Sequence, residues 1–172
     1  LDIHGSDHYF GFEADLICFC KALANGYNVS ALCGKEFLKN TVSGMSYTGS
    51  YWLSAVPFAA GIACIEKMKK LDIANLLQKK GDALKLELET AAKEYGYNMI
   101  VSGATSLPYL RIAESDNLML HQKWVAECVK RGIFFTNHHN HFINASLTDE
   151  DIKETVEIAD EAFSVVRNRY DK

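Results

Sequence analysis

Residues 15–35 read DLICFCKALANGYNVSALCGK. Two short apolar runs, DLICFC and NVSALCG, flank an Ala-Asn-Gly turn at residues 24–26, and their length and content of Ile, Phe, Cys and Val suit buried strands. Lys21 therefore closes a strand. An ammonium at the end of a buried strand is partly stripped of water, which favours the neutral amine, and a neutral amine is a nucleophile toward aldehydes. On position alone, the same side chain could instead run its methylenes along apolar surface and keep its charge in water.

Downstream, the periodicity changes. From Ser54 to about Tyr95, small and apolar residues recur at helical spacing, first in AVPFAAGIACIEKM and then, after Asp72, in IANLLQKKGDALKLELETAAKEYG. Ile73, Leu76, Leu77, Leu84, Leu86 and Leu88 give the second segment an apolar stripe, and Gly96 is placed to cap it. YNMIVSG and SLPYLRIAE then read as strands, 118–131 as a helix closed by Gly132, and 133–136 and 141–146 as two further strands. A last helix starts at Thr148, with Asp151 three residues on and acidic residues where the helix dipole favours them. Strand, strand, helix, strand, strand, helix is the order of a small α+β domain. Residues 1–14 carry no helix or strand signal.

Composition narrows the class. The chain has 172 residues, 48% of them hydrophobic, enough for a real core. Its formal charge of -4 is spread without a basic stripe or acidic block, which argues against nucleic acid or an anionic membrane as partner. The longest apolar run, around Trp52 to Ile65, is too short and too rich in Gly, Ser and Pro to span a bilayer. The 5 cysteines are odd in number, lie mostly in apolar stretches and lack disulfide-framework spacing, which fits buried thiols in a reducing cytoplasm. Cys18-x-Cys20 lacks the two-residue spacer of a zinc or redox pair.

The lysine segment resembles that of the class III, or subgroup II, pyridoxal-phosphate-dependent aminotransferases: a strand ending in a lysine, a Gly-containing turn and a Gly-Lys pair. Gly26, Gly34 and Lys35 are in register, while Asn28 stands where the family has proline. SYTGSYWLSAVPFAAGIACIEKM is similar to the family's phosphate-loop segment and the helix after it. GIFFTNHHNHFINASLTDEDIKETVEIADEAF is similar to the closing segment of the glutamate semialdehyde aminomutase branch.

The resemblance implies an α/β, fold-type I pyridoxal-phosphate transferase, with part of the large cofactor domain over 1–70 and a connector helix plus small α+β domain over 71–172. It implies a Schiff base between Lys21 and pyridoxal 5'-phosphate. It also implies a homodimer with a shared active site, in which Ser50, or else Thr48, serves the phosphate of the neighbouring subunit's cofactor. The reaction would move an amino group between a small-molecule amine or amino acid and a carbonyl acceptor. Apart from the resemblance, His139, or else His141, could contact a substrate, and Trp52 with Tyr51 could stack in the pocket or pack at a subunit interface. The family's upstream carboxylate and phosphate loop have no counterpart here, since Asp7 lies in a loop and Asp15 begins the lysine's own strand. The resemblance therefore implies the carboxy-terminal portion of a longer enzyme.

No metal is expected: adjacent residues of the His138-His139-x-His141 cluster point to opposite faces of a strand, and the family needs none. Arg111 could bind a carboxylate or serve as a surface ion-pair partner. An aminomutase and a non-catalytic module that keeps the fold remain as other readings. A cofactor-free Schiff-base aldolase would need a barrel of alternating strands and helices, which this order of elements does not supply.

Overall fold

In the computed structural model, which describes residues 1–114 and 117–170, the two runs around Lys21 form an antiparallel hairpin. β1 (Leu16–Phe19) pairs with β2 (Ala31–Gly34), from Leu16 opposite Gly34 to Phe19 opposite Ala31. The hairpin belongs to the first of two units, Leu1–Ala74. The expected burial of its strands is not met: Leu16 and Cys18 are exposed, Ile17 and Phe19 half-buried, and on β2 only Ala31 is partly covered. A two-stranded ribbon has two faces and two outer edges, and the described residues of this unit cover one face in part. Cys18, Cys20 and Cys33, read as buried strand thiols, are exposed for the same reason.

Two helical pieces flank the hairpin. Residues 1–14 are not featureless, because α1 (Ser6–Phe10) forms one turn that stops at Gly11 (φ 71°), where the Phe12 N–H reaches the Asp7 carbonyl at 3.1 Å. After β2 the charged segment turns through Glu36–Leu38 into α2 (Lys39–Ser43), and α3 (Ala55–Lys70) follows. No described helix is long and apolar enough to cross a membrane.

The second unit, Asn75–Lys172, is built around one core. The chain enters it along α4 (Ile73–Glu94), whose stripe buries Leu84 and Leu88. The helix ends at Gly96 (φ 78°), where the Tyr97 N–H bonds the Ala92 carbonyl and the Gly96 N–H bonds that of Lys93, both at 3.0 Å. Gly81 lets α4 touch backbone: a Cβ there would stand 2.0 Å from the Thr105 carbonyl oxygen. β3 (Met99–Ser102) and β4 (Tyr109–Ile112) form an antiparallel pair, and alternate residues of β4, Leu110 and Ile112, point into the core.

Over them pack α5 (Met119–Lys130) and α6 (Asp149–Tyr170). Trp124 is fully buried between Phe135 and Phe163, with ring centroids 5.1 and 5.0 Å away, and its Nε1–H donates to the Ala159 carbonyl at 3.2 Å. His121 stacks on Trp124. Burial pushes its imidazole down to about 4, and His141, Arg111 and His138 act in the same direction. α6 begins with a reciprocal cap: the Asp151 N–H donates to Thr148 Oγ1 at 3.1 Å, and the Thr148 N–H to Asp151 Oδ2 at 2.6 Å. That backbone bond is the largest cause holding the Asp151 carboxyl below its ordinary value.

The strands expected at 133–136 and 141–146 do not form. The second segment does run beside the 106–108 loop, with the His141 N–H on the Pro108 carbonyl at 2.7 Å and the Ile143 N–H on that of Ser106 at 3.1 Å. Pro108 has no N–H to return, so the pairing stays one-sided.

Candidate active site

The hairpin and α3 fix the backbone at Lys21. Cys20 is extended, and Lys21 then turns into the left-handed region at φ 54° to open a 3-10 turn over Lys21–Leu23. A non-glycine residue there costs on the order of 1–2 kcal/mol, so the surroundings must impose the conformation. They do so from several sides. The Lys21 carbonyl accepts from the Asn25 N–H at 3.1 Å, and the Leu23 N–H bonds the Cys20 carbonyl at 3.1 Å. From α3, the Cys64 thiol donates to the Ala22 carbonyl at 3.1 Å. Ala24, within this turn, is the one fully covered apolar side chain among the described residues of its unit.

The Lys21 side chain itself is left exposed, without the desolvation expected of it. The reason is the uncovered ribbon: its strand is half-open within this unit. No described residue forms a hydrogen bond or ion pair with the Lys21 ammonium. Lys35, at the end of β2, is the opposite case. Its Nζ lies 3.0 Å from Asp15 Oδ1 and 3.4 Å from Glu13 Oε2, and its N–H bonds the Asp15 carbonyl at 3.1 Å. The bond to Asp15, followed by the field of Glu13, raises the Lys35 ammonium above its ordinary value and holds it charged. Of the two lysines in the segment, Lys21 has its backbone pinned and its amine available for chemistry.

Thr48, Ser50 and Trp52 share the loop that leads into α3, and all three are exposed. The Trp52 N–H closes a turn on the Gly49 carbonyl at 3.2 Å, and the indole meets the Tyr47 ring edge-on at 5.6 Å. Ser54, at the start of α3, makes no side-chain cap bond. The Thr48 and Ser50 hydroxyls, in the loop ahead of α3, are donors of the kind that a phosphate dianion takes. No hydrogen bond or ring contact joins this loop to Lys21 among the described residues.

His139 lies in the second unit, exposed, with Nδ1 2.8 Å from the Asn140 carbonyl oxygen and its ring 5.8 Å from that of Phe142. The three imidazoles of the cluster go separate ways: His138 faces Asn137, His139 faces Asn140, and His141 Nε2 accepts from the Thr136 N–H at 3.0 Å. Asp15 is committed to Lys35, and Asp7 Oδ2 accepts from the Ala14 N–H at 3.3 Å. The sequence reading missed Lys35 as a paired cation. The signal was the Glu13 and Asp15 carboxylates, which only the hairpin register brings to residue 35.

The family model described as Aminotransferase class-III matches residues 2–163. The aminopentol aminotransferase of Sphingopyxis macrogoltabida is 34% identical over 158 residues, which is 92% of this chain and 37% of the relative. The glutamate-1-semialdehyde 2,1-aminomutase of Wigglesworthia glossinidia brevipalpis is 24% identical over 186 residues, 98% of this chain and 42% of the relative. The FumI protein of Sphingopyxis sp. MTA144, solved in its PLP internal aldimine form, superposes with a TM-score of 0.92 at 33% identity, covering 97% of this chain and 40% of that one. The fold is that of a fragment of fold-type I, and the chain spans about two fifths of the length of the proteins it matches.

Proposed function

The chain belongs to the class-III aminotransferases, and from that premise we propose that the protein moves an amino group between a small-molecule amine or amino acid and a carbonyl acceptor, with Lys21 as its cofactor lysine. The observation that carries the reading is the contrast at the hairpin: Lys21 has a pinned, left-handed backbone and an unengaged ammonium, while Lys35 is held by two carboxylates. Both features suit a side chain that must form and break a bond to an aldehyde without moving its strand.

Pyridoxal phosphate, when bound, supplies the electron sink for the carbon that loses its amine. Lys21 Nζ would hold the cofactor, and once displaced by the substrate amine it would take the proton from the substrate's amine-bearing carbon and return it as general acid. Ser50, with Thr48 as the second choice, would offer a hydroxyl to the phosphate of a neighbouring copy's cofactor, which makes the working unit a homodimer. Trp52 and His139 would meet the substrate, the first with an apolar face and the second with an imidazole edge. Five free cysteines suit a cytoplasmic setting.

A second reading, an aminomutase that returns the nitrogen to another carbon of the same molecule, is supported by the semialdehyde aminomutase relatives. The test is a single-turnover incubation of the protein loaded with pyridoxal phosphate and a primary amine donor, with no acceptor present. Release of one carbonyl product per cofactor is expected of an aminotransferase. Isomerised amine without net carbonyl release would assign the aminomutase instead, and an unchanged donor and cofactor spectrum would overturn both.

A further inference from the structure

The polar segment ahead of β1 holds a cluster that neither the fold nor Lys21 uses. Asp2 Oδ1 accepts from the His4 backbone N–H at 2.7 Å and lies 2.8 Å from His4 Nδ1, while Asp2 Oδ2 lies 2.8 Å from His8 Nδ1. The two imidazoles face each other with centroids 5.4 Å apart. One ring nitrogen of each histidine and a carboxylate oxygen fall within 4.8 Å of one another, the one such grouping among the described residues.

The backbone builds this meeting. Gly5 turns at φ 131° with its N–H on the Asp2 carbonyl at 3.3 Å, and a Cβ there would stand 2.6 Å from Asp7 Oδ1 and 3.3 Å from Ile17 Cδ1. Only glycine fits a turn so placed. It sets α1 beside the turn, so that His8, on the helix, and His4, before it, converge on one carboxylate.

We propose that Asp2, His4 and His8 bind a borderline divalent transition cation, of which zinc is the type, through two Nδ1 atoms and one carboxylate oxygen. Two imidazoles and one carboxylate suit zinc, cobalt, nickel or copper, whereas magnesium and calcium require oxygen shells. Donors about 2.0–2.2 Å from a tetrahedral ion stand roughly 3.3 Å apart, so the 2.8 Å contact of the oxygen that binds has to open by about 0.5 Å, while the imidazole on the carboxylate's other oxygen has to swing across to the ion. The imidazole side chains are each 67% exposed and free to make that adjustment.

A metal takes each imidazole neutral with its Nδ1 lone pair free, so the ring's one proton sits on Nε2, on a ring exposed to water. The His4 backbone N–H stays on Asp2 Oδ1 as an outer contact that orients the carboxylate. Three protein ligands leave a fourth position to water or an added ligand. The ion would tie residue 2 to residue 8 across the Gly5 turn, next to Ile17 on the strand that leads to Lys21.

The test is titration of the purified protein with cobalt chloride, read by visible absorption, and with zinc chloride, read by calorimetry, on the wild type and on His4→Gln and His8→Gln. One saturable equivalent is expected, with a tetrahedral cobalt spectrum free of thiolate charge-transfer bands. Each variant should bind more than about tenfold more weakly while keeping the wild-type circular dichroism. Absence of saturable uptake, equal affinity in the variants, or thiolate bands that trace the ion to Cys18, Cys20 or Cys33 would overturn the site. The readout is metal uptake rather than aminotransfer, so it stands or falls separately from the role of Lys21.

Discussion

The two units of the chain set the proposed cofactor lysine apart from the buried core. Asn75–Lys172 holds a continuous core from Leu84 to Val166, with Trp124, Phe163, Leu88 and Ile112 completely buried. Leu1–Ala74 carries Lys21, Ser50 and Trp52, yet among its described residues Ala24 is the one buried apolar side chain. Phe12, Leu16, Leu32, Phe58 and Ile62 remain exposed there. An apolar sequence pattern and the burial that this chain can supply coincide in the second unit and separate in the first. What the first unit does supply is backbone: the hairpin register, the bonds of the turn after β1 and the Cys64 thiol hold Lys21 at φ 54° without a core.

That division can be broken by experiment, most severely at the lysine. Lys21→Ala should lower aminotransfer by about 10³-fold or more and leave the denaturation midpoint nearly unchanged. A midpoint that fell with the activity would make Lys21 a structural residue. In the second unit, Trp124→Ala should cost about 3–5 kcal/mol in urea unfolding, because it empties the stack between Phe135 and Phe163 and removes the bond to Ala159. A loss below about 1 kcal/mol would show that the core is not centred there.

The third effect depends on pH. The His121 imidazole, ordinarily near 6.5, is held at about 4 in the fold by burial. Between those values the unfolded chain takes up a proton that the folded chain refuses. Stability is therefore full above about 6.5 and falls as pH drops toward 4, by up to about 3 kcal/mol. His121→Gln should flatten that slope in urea titrations run between pH 4 and 7, and a slope equal to that of the wild type would remove His121 as its source. The smallest effect is at the cap of α6, where Thr148→Ala should cost about 1 kcal/mol of thermal or urea stability without touching activity. No change there would mean that Asp151 alone closes the helix start.

The second unit was more legible in the sequence than the first. The stripe of α4, its stop at Gly96 and the Thr148 cap depend on residues a few positions apart, and each formed as read except at Leu86, which was placed in the stripe and stays exposed. The strands at 133–136 and 141–146 failed because apolar content does not reveal a partner's N–H: Pro108 withholds the one that His141 would have needed, and in the first segment the Ile133 N–H goes to the Cys128 carbonyl and the Thr136 N–H to His141 Nε2. In the first unit, the hairpin and the position of Lys21 were legible from the two runs and their turn, but burial was not, because it depends on what covers a ribbon. The pairing of Lys35 with Asp15 and the convergence of His4 and His8 on Asp2 were missed for a similar reason. One needs the register of two strands, and the other a five-residue helix too short to show a period.

The most direct test of the central claim is borohydride reduction of the purified protein after incubation with pyridoxal phosphate, followed by peptide mapping. The account predicts a single pyridoxyl adduct, on Lys21, with Lys35 unmodified beside its two carboxylates. An adduct on Lys35 or another lysine, or none at all, would contradict it.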